Sequence, residues 1–441
     1  MSEYQSAIQS NSGIQTELEP ERALLVGIET RNPEWSLEES LAELARLVDT
    51  AGAEVVSQTS QKMEKPNPRT FIGSGKAEEI SELCRINHID LVVFDDELTP
   101  SQQSNLEKIM PRNVKVIDRT ALILDIFGLH AQTKEGRLQV RLAQNQYLYP
   151  RLRGMWAHLA SNKMGGGVGS RFGEGESQLE VDRRMVRKRI TSIKRELKDL
   201  SENRITQRKQ RYESGMFRVA LAGYTNAGKS SLLNALTDSD VLSYDKLFAT
   251  LDSTTRKLIL PEGRETTLTD TVGFIQKLPT TLVESFKSTL DEILGADLIL
   301  HVVDASSEHY EKHIKAVMEV LDQIKAQKIP LILVFNKIDL LTEEELEALR
   351  HRWPQALVVS SVTGQGIDEL IHAIGLAAAA QDILLDVIIP YDKGNLASLA
   401  HERCRIIDEA YEEDGTHLTL QIPQSYFAQF KPYATNKRQS E

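Results

Sequence analysis

Gly223-Tyr224-Thr225-Asn226-Ala227-Gly228-Lys229-Ser230 reads G-x-x-x-x-G-K-S, and few folds can host that pattern. The run before it, Phe217–Ala222, is apolar enough for a buried strand. The run after it, Ser231–Leu236, has helical spacing. Strand, glycine-rich turn and helix together are the context a phosphate-binding loop requires. Its glycines let backbone N–H groups close around phosphate, and the helix start adds the positive end of its dipole. Lys229 is placed to reach the β- and γ-phosphates, and the Ser230 hydroxyl to hold Mg²⁺. The competing explanation is a glycine turn before a surface lysine, so the motif needs companions.

The companions follow in order. Asp270-Thr271-Val272-Gly273 is D-x-x-G at the end of an expected strand, Glu265–Asp270. An Asp there meets Mg²⁺ through water, and the Gly N–H meets the γ-phosphate. Asn336-Lys337-Ile338-Asp339 is N-x-x-D after the apolar run Leu331–Phe335. Its carboxylate can accept from guanine N1–H and the 2-amino group, donors that adenine lacks, and buried acceptors left unpaired by the wrong base give strong discrimination. Ser360-Ser361-Val362 ends a further strand, where a backbone N–H can meet guanine O6. Asp–Gly and Asn–Lys turns are common singly. Four in this order, each at a strand's C-terminal end, place a GTP site along the edge where open α/β sheets bind ligands. Between the first two motifs, Leu247–Arg256 lacks clear periodicity and reads as the first switch. Thr250 is the first choice for the threonine that completes Mg²⁺ coordination, with Thr254 and Thr255 behind it. Phe274 stands where Ras-like GTPases carry the glutamine that orients water. Unaided hydrolysis is then slow and a partner completes the site; the alternative is that Phe274 packs and another group positions the water, and the two are compatible.

At 441 residues the chain has room for two to four domains. Residues 1–20 are rich in Ser, Gln and Glu, a disordered tail. Residues 21–130 alternate strand (23–28, 53–58, 90–94, 114–117) and helix (36–50, 76–86), a small α/β domain with a largely parallel sheet. Gly73-Ser74-Gly75-Lys76 opens one helix. A tight helix-starting turn is weighted above a phosphate site there, because the eight-residue spacing is missing. Asp95-Asp96-Glu97 resembles a metal cluster but reads better as a solvated helix-capping turn.

Net charge is −12, yet residues 151–213 carry 16 Lys/Arg against 8 Asp/Glu. A basic module inside an acidic chain points to nucleic-acid contact. Residues 131–213 read as an antiparallel helical hairpin. Leu138, Leu142, Tyr149 and Leu152 lie near one stripe, and a glycine-rich tip loop runs from 164 to 175. A long helix follows, with Val186, Ile190, Ile193, Leu197 and Leu200 as its seam. Arg171, Arg183, Arg184, Arg187, Lys188, Arg189, Lys194 and Arg195 are the RNA-binding candidates, against the alternative of a solvated charged face. Residues 214–380 form the nucleotide module. Residues 381–441 form a small α+β C-terminal unit and tail, with a hairpin turn at Gly415. No apolar run reaches bilayer-spanning length, there is no signal-peptide pattern, and Cys84 and Cys404 are the only cysteines. The expected compartment is the cytoplasm, with a peripheral membrane-associated fraction allowed, and the expected state is a monomer.

Taken together, G-Y-T-N-A-G-K-S, F-A-T-L-D at 248–252, D-T-V-G-F at 270–274 and N-K-I-D at 336–339 resemble the HflX family of bacterial ribosome-associated GTPases. So do I-G-S-G-K-A-E-E-I at 72–80 and G-E-S-Q-L-E-V-D-R-R at 175–184, which lie outside the nucleotide module. The resemblance implies a Mg²⁺-dependent GTPase that binds the large ribosomal subunit and its rRNA and splits or rescues ribosomes, with hydrolysis stimulated by the ribosome. The alternatives are an assembly or silencing factor without splitting activity, and an RNA-unwinding ATPase using the N-terminal domain. Secondary ATP hydrolysis is also implied. Carried over position by position, the nucleotide contacts are 223–230, then Phe248, Ala249, Thr250, Leu251 and Asp252, then Asp270, Thr271, Val272 and Gly273, then Asn336, Lys337, Ile338 and Asp339, then Ser360, Ser361 and Val362. Ser230 and Thr250 are the direct Mg²⁺ ligands, Asp270 acts through water, and Lys229, Thr250 and Gly273 are the catalytic set. The family pattern R-G-P-G-E is altered here to Arg171-Phe172-Gly173-Glu174-Gly175-Glu176, losing a rigid φ and adding a charge that RNA phosphate repels. Ser253 and Ser361 replace the usual Pro and Ala. The implied fold is a multidomain α/β protein: a Ras-like P-loop GTPase domain preceded by a small α/β domain and a long helical hairpin, and followed by a small α+β domain.

Overall fold

The computed structural model describes residues 20–31, 35–161, 171–213, 216–237, 247–248, 251–261, 263–277, 287–423 and 426–435. The tail expected at 1–20 lies outside these residues apart from its last position, as do most of the hairpin tip and both Ala249 and Thr250. The chain separates into two compact units, Met1–Ile123 and Leu124–Glu441.

In the first unit, β1 (Arg22–Glu29), β2 (Glu54–Lys62), β3 (Leu91–Phe94) and β4 (Lys115–Asp118) form an all-parallel sheet in the order β2-β1-β3-β4. Because strand side chains alternate, Leu24, Val26 and Ile28 meet one core with α2 (Ser74–Ile86) and α3 (Pro100–Ile109). Gly27 on the other face lets α1 (Leu37–Thr50) come so close that a Cβ there would sit 2.5 Å from Leu37 Cδ1 and 3.3 Å from Leu41 Cδ2. Ser36 starts α1 with a reciprocal capping box to Glu39, and Thr99 does the same for α3 with Gln102. Gly73 is the N-cap of α2, its N–H donating to Gln61 Oε1 at 2.8 Å, and Lys76 pairs with Glu79.

One expectation is overturned here. Asp95 is not part of a solvated turn: it is 1% exposed, ion-paired to Arg119 at 2.8 Å and bonded by Ser40 Oγ at 2.6 Å. Arg119 also pairs with Glu43 of α1, and all three charged groups are buried. Asp118 accepts from the N–H groups of Leu98 and Ala121, so the turn after β3 is tied to β4.

In the second unit, α4 (Arg119–His130) runs in from the first, and α5 (Lys134–Ser161) and α6 (Arg171–Glu213) pack along a seam of Leu138, Leu142 and Ile193 with Ile190, Leu197 and Leu200. The loop expected at 164–175 is corrected at its end: Arg171–Gly175 already lie in α6. The second sheet orders as β10-β9-β8-β5-β7-β6, from β5 (Phe217–Gly223), β6 (Thr254–Ile259), β7 (Glu265–Asp270), β8 (Leu298–Asp304), β9 (Leu331–Asn336) and β10 (Leu357–Val358). Only β6 runs antiparallel. Phe217, Val219 and Leu221 pack with α7 (Lys229–Thr237), while Ala220 and Ala222 face the opposite core with α8 (Lys287–Leu294) and α9 (Tyr310–Gln323). This is a doubly wound sheet with helices on both faces. Beyond α10 (Glu343–Arg352) and α11 (Ile367–Ala379), strands β11 (Ile383–Ile389), β12 (Arg405–Glu412) and β13 (Gly415–Ile422) form an antiparallel sheet ordered β11-β13-β12. Helix α12 (Gly394–Arg403) closes its core. The Arg264 guanidinium meets the Asp382 carboxylate at 2.9 Å, joining the β6–β7 turn to this C-terminal sheet.

Candidate functional site

The C-terminal end of β5 delivers the chain into a loop whose shape the glycines permit. A Cβ on Gly223 would collide with the carbonyl of Val302 on β8, and one on Gly228 (φ +84°) with the Asn336 amide. Only glycine lets three segments approach this closely. Lys229 then opens α7 with its side chain buried, Nζ donating to the carbonyls of Gly223 (3.2 Å) and Tyr224 (2.9 Å). Burial pulls its pKa down to about 8, with the Asp270 carboxylate opposing that fall. A helix start with free N–H groups beside a buried ammonium is an anion site by construction.

Ser230 Oγ donates to Asp270 Oδ2 at 2.6 Å, bringing an alcohol and a carboxylate from two elements to one point. Two hard oxygen donors at the sheet edge fit Mg²⁺. Thr271 Oγ1 donates to the Leu221 carbonyl, anchoring the turn after β7. The N–H of Thr225 donates to the carbonyl of Phe274 (2.7 Å), and the N–H of Phe274 to that of Gly223 (3.1 Å), so the two loops are stitched together. Phe274 itself is 1% exposed, in the core with Tyr224, Leu290 and Ile293. Of the two accounts of this residue, packing describes its position.

The first switch is seen in part. Phe248 and Leu251 are buried, and Phe248 stacks edge-on against Phe127 at 4.5 Å. Asp252 accepts from the N–H groups of Gln132 and Thr133 (2.8 Å each) and from the Thr133 hydroxyl, capping the start of α5. Thr254 and Thr255, the alternatives to Thr250 as a Mg²⁺ ligand, are strand residues of β6, and Thr255 Oγ1 pairs across the ladder with Thr269 Oγ1 at 3.0 Å. The segment read as the first switch, Leu247–Arg256, thus runs into β6, whose ladder begins at Thr254.

At the base end, Asn336 bridges loops. Its Nδ2 donates to the Ala227 carbonyl (3.0 Å) and its Oδ1 accepts from the Ser361 N–H (3.0 Å). Ser360, fully buried, donates to Asp339 Oδ1 at 2.5 Å while accepting from the N–H groups of Val362 and Thr363. The Asp339 carboxylate is thus aimed by a fixed partner. Lys337 sits at φ +66°, its ammonium on Asp304 at 2.7 Å. Asp304 is a site residue that the sequence motifs do not include. An acidic residue ending β8 at the ligand-binding edge was the available signal.

His301, in mid-β8, is another. It is 1% exposed, neither ring nitrogen has a hydrogen-bond partner, and burial together with the Lys229 charge brings its pKa down to about 4. The folded protein keeps this ring neutral where the unfolded chain, titrating near 6.5, takes up a proton. Stability from this group is present above pH 6.5 and is lost as pH falls towards 4. Between pH 7 and pH 5 the loss is expected to be on the order of 1–2 kcal/mol. Urea titrations at the two pH values, wild type against His301→Leu, check this: the leucine variant should lose that share of the pH dependence.

Of the RNA-binding candidates, Arg184, Arg187, Lys188, Arg189, Lys194 and Arg195 are exposed on α6. Arg183 is half-buried, its guanidinium 5.2 Å from the centre of the Tyr149 ring, and Arg187 donates to Tyr149 Oη at 2.5 Å. The side chain of Arg171 lies outside the described residues. Among the described residues, no helix is long and apolar enough to cross a membrane.

Residues 38–128 match the family described as GTP-binding GTPase N-terminal, 130–211 the GTP-binding GTPase middle region, and 218–337 the 50S ribosome-binding GTPase. GTPase HflX of Flavobacterium psychrophilum is 55% identical over 320 residues, 72% of this chain and 76% of its own. GTPase HflX of Caldanaerobacter subterraneus is 46% identical over 402 residues, 91% of each chain. A crystal structure of a GTP-binding protein from Sulfolobus solfataricus with GDP aligns at 22% identity and a TM-score of 0.43, covering 82% of this chain and 99% of its own.

Proposed function

The chain belongs to the HflX family of GTPases and hydrolyses GTP to GDP and phosphate, and from that premise we propose that it is a GTP-switched factor that binds the large ribosomal subunit and splits ribosomes. Residues 223–230 hold the phosphates, with the Lys229 ammonium spreading charge off the β- and γ-phosphoryl oxygens and the Gly273 N–H meeting the γ-phosphoryl group. Asp339 and Asn336 read the guanine, with the Ser361 and Val362 backbone closing over its O6 edge. Ser230 and Thr250, with Asp270 through water, would hold Mg²⁺, which would supply charge neutralisation at the phosphates. Phe248, Leu251 and Asp252 fix the ends of the segment that carries Ala249 and Thr250. Thr250 would sense the γ-phosphate, so the first switch responds to the nucleotide state. The two nucleotide states then differ in affinity for the ribosome, and that difference is the free energy the cycle delivers.

The ribosomal half of this reading is carried by the cationic face of α6. Six exposed Lys/Arg lie between Arg184 and Arg195, with no acidic residue among them. A phosphate backbone suits such a face, with affinity that falls steeply with salt. Purified large subunits are expected to raise GTP turnover at least about 10-fold, in line with the gains seen when a partner completes a GTPase site. Arg184→Glu with Lys188→Glu should lose that stimulation and leave unstimulated turnover as it is. Intact ribosomes incubated with the protein and a non-hydrolysable GTP analogue should separate on a sucrose gradient. Turnover indifferent to subunits would remove the ribosomal reading, and binding without separation would leave an assembly or silencing factor.

A further inference from the structure

Thr225 is the second variable residue of the phosphate loop, and it is 7% exposed. Its backbone is fixed by the 2.7 Å bond from its N–H to the Phe274 carbonyl. Its side chain is held against Gly273: a Cβ on that glycine would lie 2.9 Å from both Thr225 Cα and Cγ2, and 3.0 Å from Lys229 Nζ. Thr225, the D-x-x-G glycine and the buried ammonium therefore share one small volume. The methyl of Thr225 faces Gly273, and the Oγ1 on the same Cβ is buried with no hydrogen-bond partner. An unsatisfied hydroxyl is unfavourable, and valine would fill the same shape without that penalty. A hydroxyl retained here makes chemical sense if its partner arrives with the ligand. Meanwhile Phe274, the residue at the glutamine position, is packed into the core and offers no polar atom.

We propose that the Thr225 hydroxyl orients the attacking water at the γ-phosphoryl group of GTP, standing in for the absent glutamine. The proposal rests on the reading that residues 223–230 and 270–273 hold the GTP phosphates. The hydroxyl accepts a hydrogen bond from the water and donates a hydrogen bond, without giving up its proton, to a γ-phosphoryl oxygen. The water oxygen forms a bond to the γ-phosphorus while the bond from that phosphorus to the β–γ bridging oxygen breaks. The electron pair leaves on GDP, and both water protons end on inorganic phosphate. Thr225 is unchanged at the end. A group that only orients water contributes to the transition state and little to ground-state binding, so its loss falls on kcat.

The test is single-turnover GTP hydrolysis by the full chain, with and without large ribosomal subunits, for wild type, Thr225→Val and Thr225→Ser. Affinities for fluorescent GDP and a non-hydrolysable GTP analogue are measured in parallel. Thr225→Val is expected to slow hydrolysis about 10- to 100-fold, with both affinities within about twofold and thermal stability not lowered. Thr225→Ser should recover the rate to within a few-fold. If valine hydrolyses like wild type, or if its rate loss is matched by lost affinity, the proposal is overturned while the GTP site stands. If wild type binds neither nucleotide, the underlying reading fails instead. Should Thr225→Val not fold, Thr225→Ala against Thr225→Ser separates the same outcomes, since only the serine variant keeps a hydroxyl.

Discussion

Asp339→Asn is expected to weaken GTP and GDP binding at least about 100-fold and to shift preference towards xanthine nucleotides. Asp339 Oδ1 is fixed by the buried Ser360 hydroxyl, which is itself held by two backbone N–H groups, so the carboxylate has little freedom to turn away. Guanine offers two donors to such a group. Asparagine replaces one acceptor oxygen with an NH₂, which faces a donor head-on and leaves both unpaired. Xanthine has a carbonyl in place of the 2-amino group, so the same NH₂ finds an acceptor. Competition binding with GDP and XDP reads both halves of this swap. Undiminished GDP affinity would mean that base recognition does not pass through Asp339. The Asn336 bridge to Ala227 and Ser361 is untouched by the substitution, so the loop geometry should persist.

The parts of the molecule that are legible from sequence are those whose cause is local. The alternation Val219-Ala220-Leu221-Ala222 is what a strand buried on both faces needs, and the doubly wound sheet follows from it. The seam from Ile190 to Leu200 is read from its own spacing. Helix α3 escapes such a reading although Thr99-Pro100-Ser101-Gln102 is a capping box with Pro at N1, because the ten residues that follow Thr99 bury only Leu106 among their apolar side chains. What stays hidden depends on partners distant in the chain. Asp252 caps α5 across 119 residues. Thr254 and Thr255 enter a ladder whose partner strand decides the boundary, and Thr-Thr-Arg-Lys has no apolar alternation to announce it. Asp95 reads as solvated because its neighbours Asp96 and Glu97 make a charge run. Its counter-ion lies 24 residues further on.

That counter-ion carries the largest expected effect on stability. Arg119→Ala should destabilise the first unit by about 3–5 kcal/mol, because it strands the Glu43 and Asp95 carboxylates without their cation. All three side chains are at most 3% exposed, so water cannot take the guanidinium's place without opening the unit. The group is not optimal as it stands, since Arg119 Nε is buried without a partner. Buried ion networks often cost more in desolvation than they return, and replacing all members by apolar side chains can be neutral. The combined change Arg119→Met, Glu43→Leu and Asp95→Asn is therefore expected to recover most of the loss that Arg119→Ala alone incurs. The amide introduced by Asp95→Asn keeps an acceptor for the Ser40 hydroxyl. In hydrogen exchange on the full chain, β1 and β3 amides of the Arg119→Ala protein should lose protection first, while β5 and β8 keep theirs. A loss under about 1 kcal/mol for the single substitution would mean that the network is solvated on folding and that Asp95 needs no counter-ion.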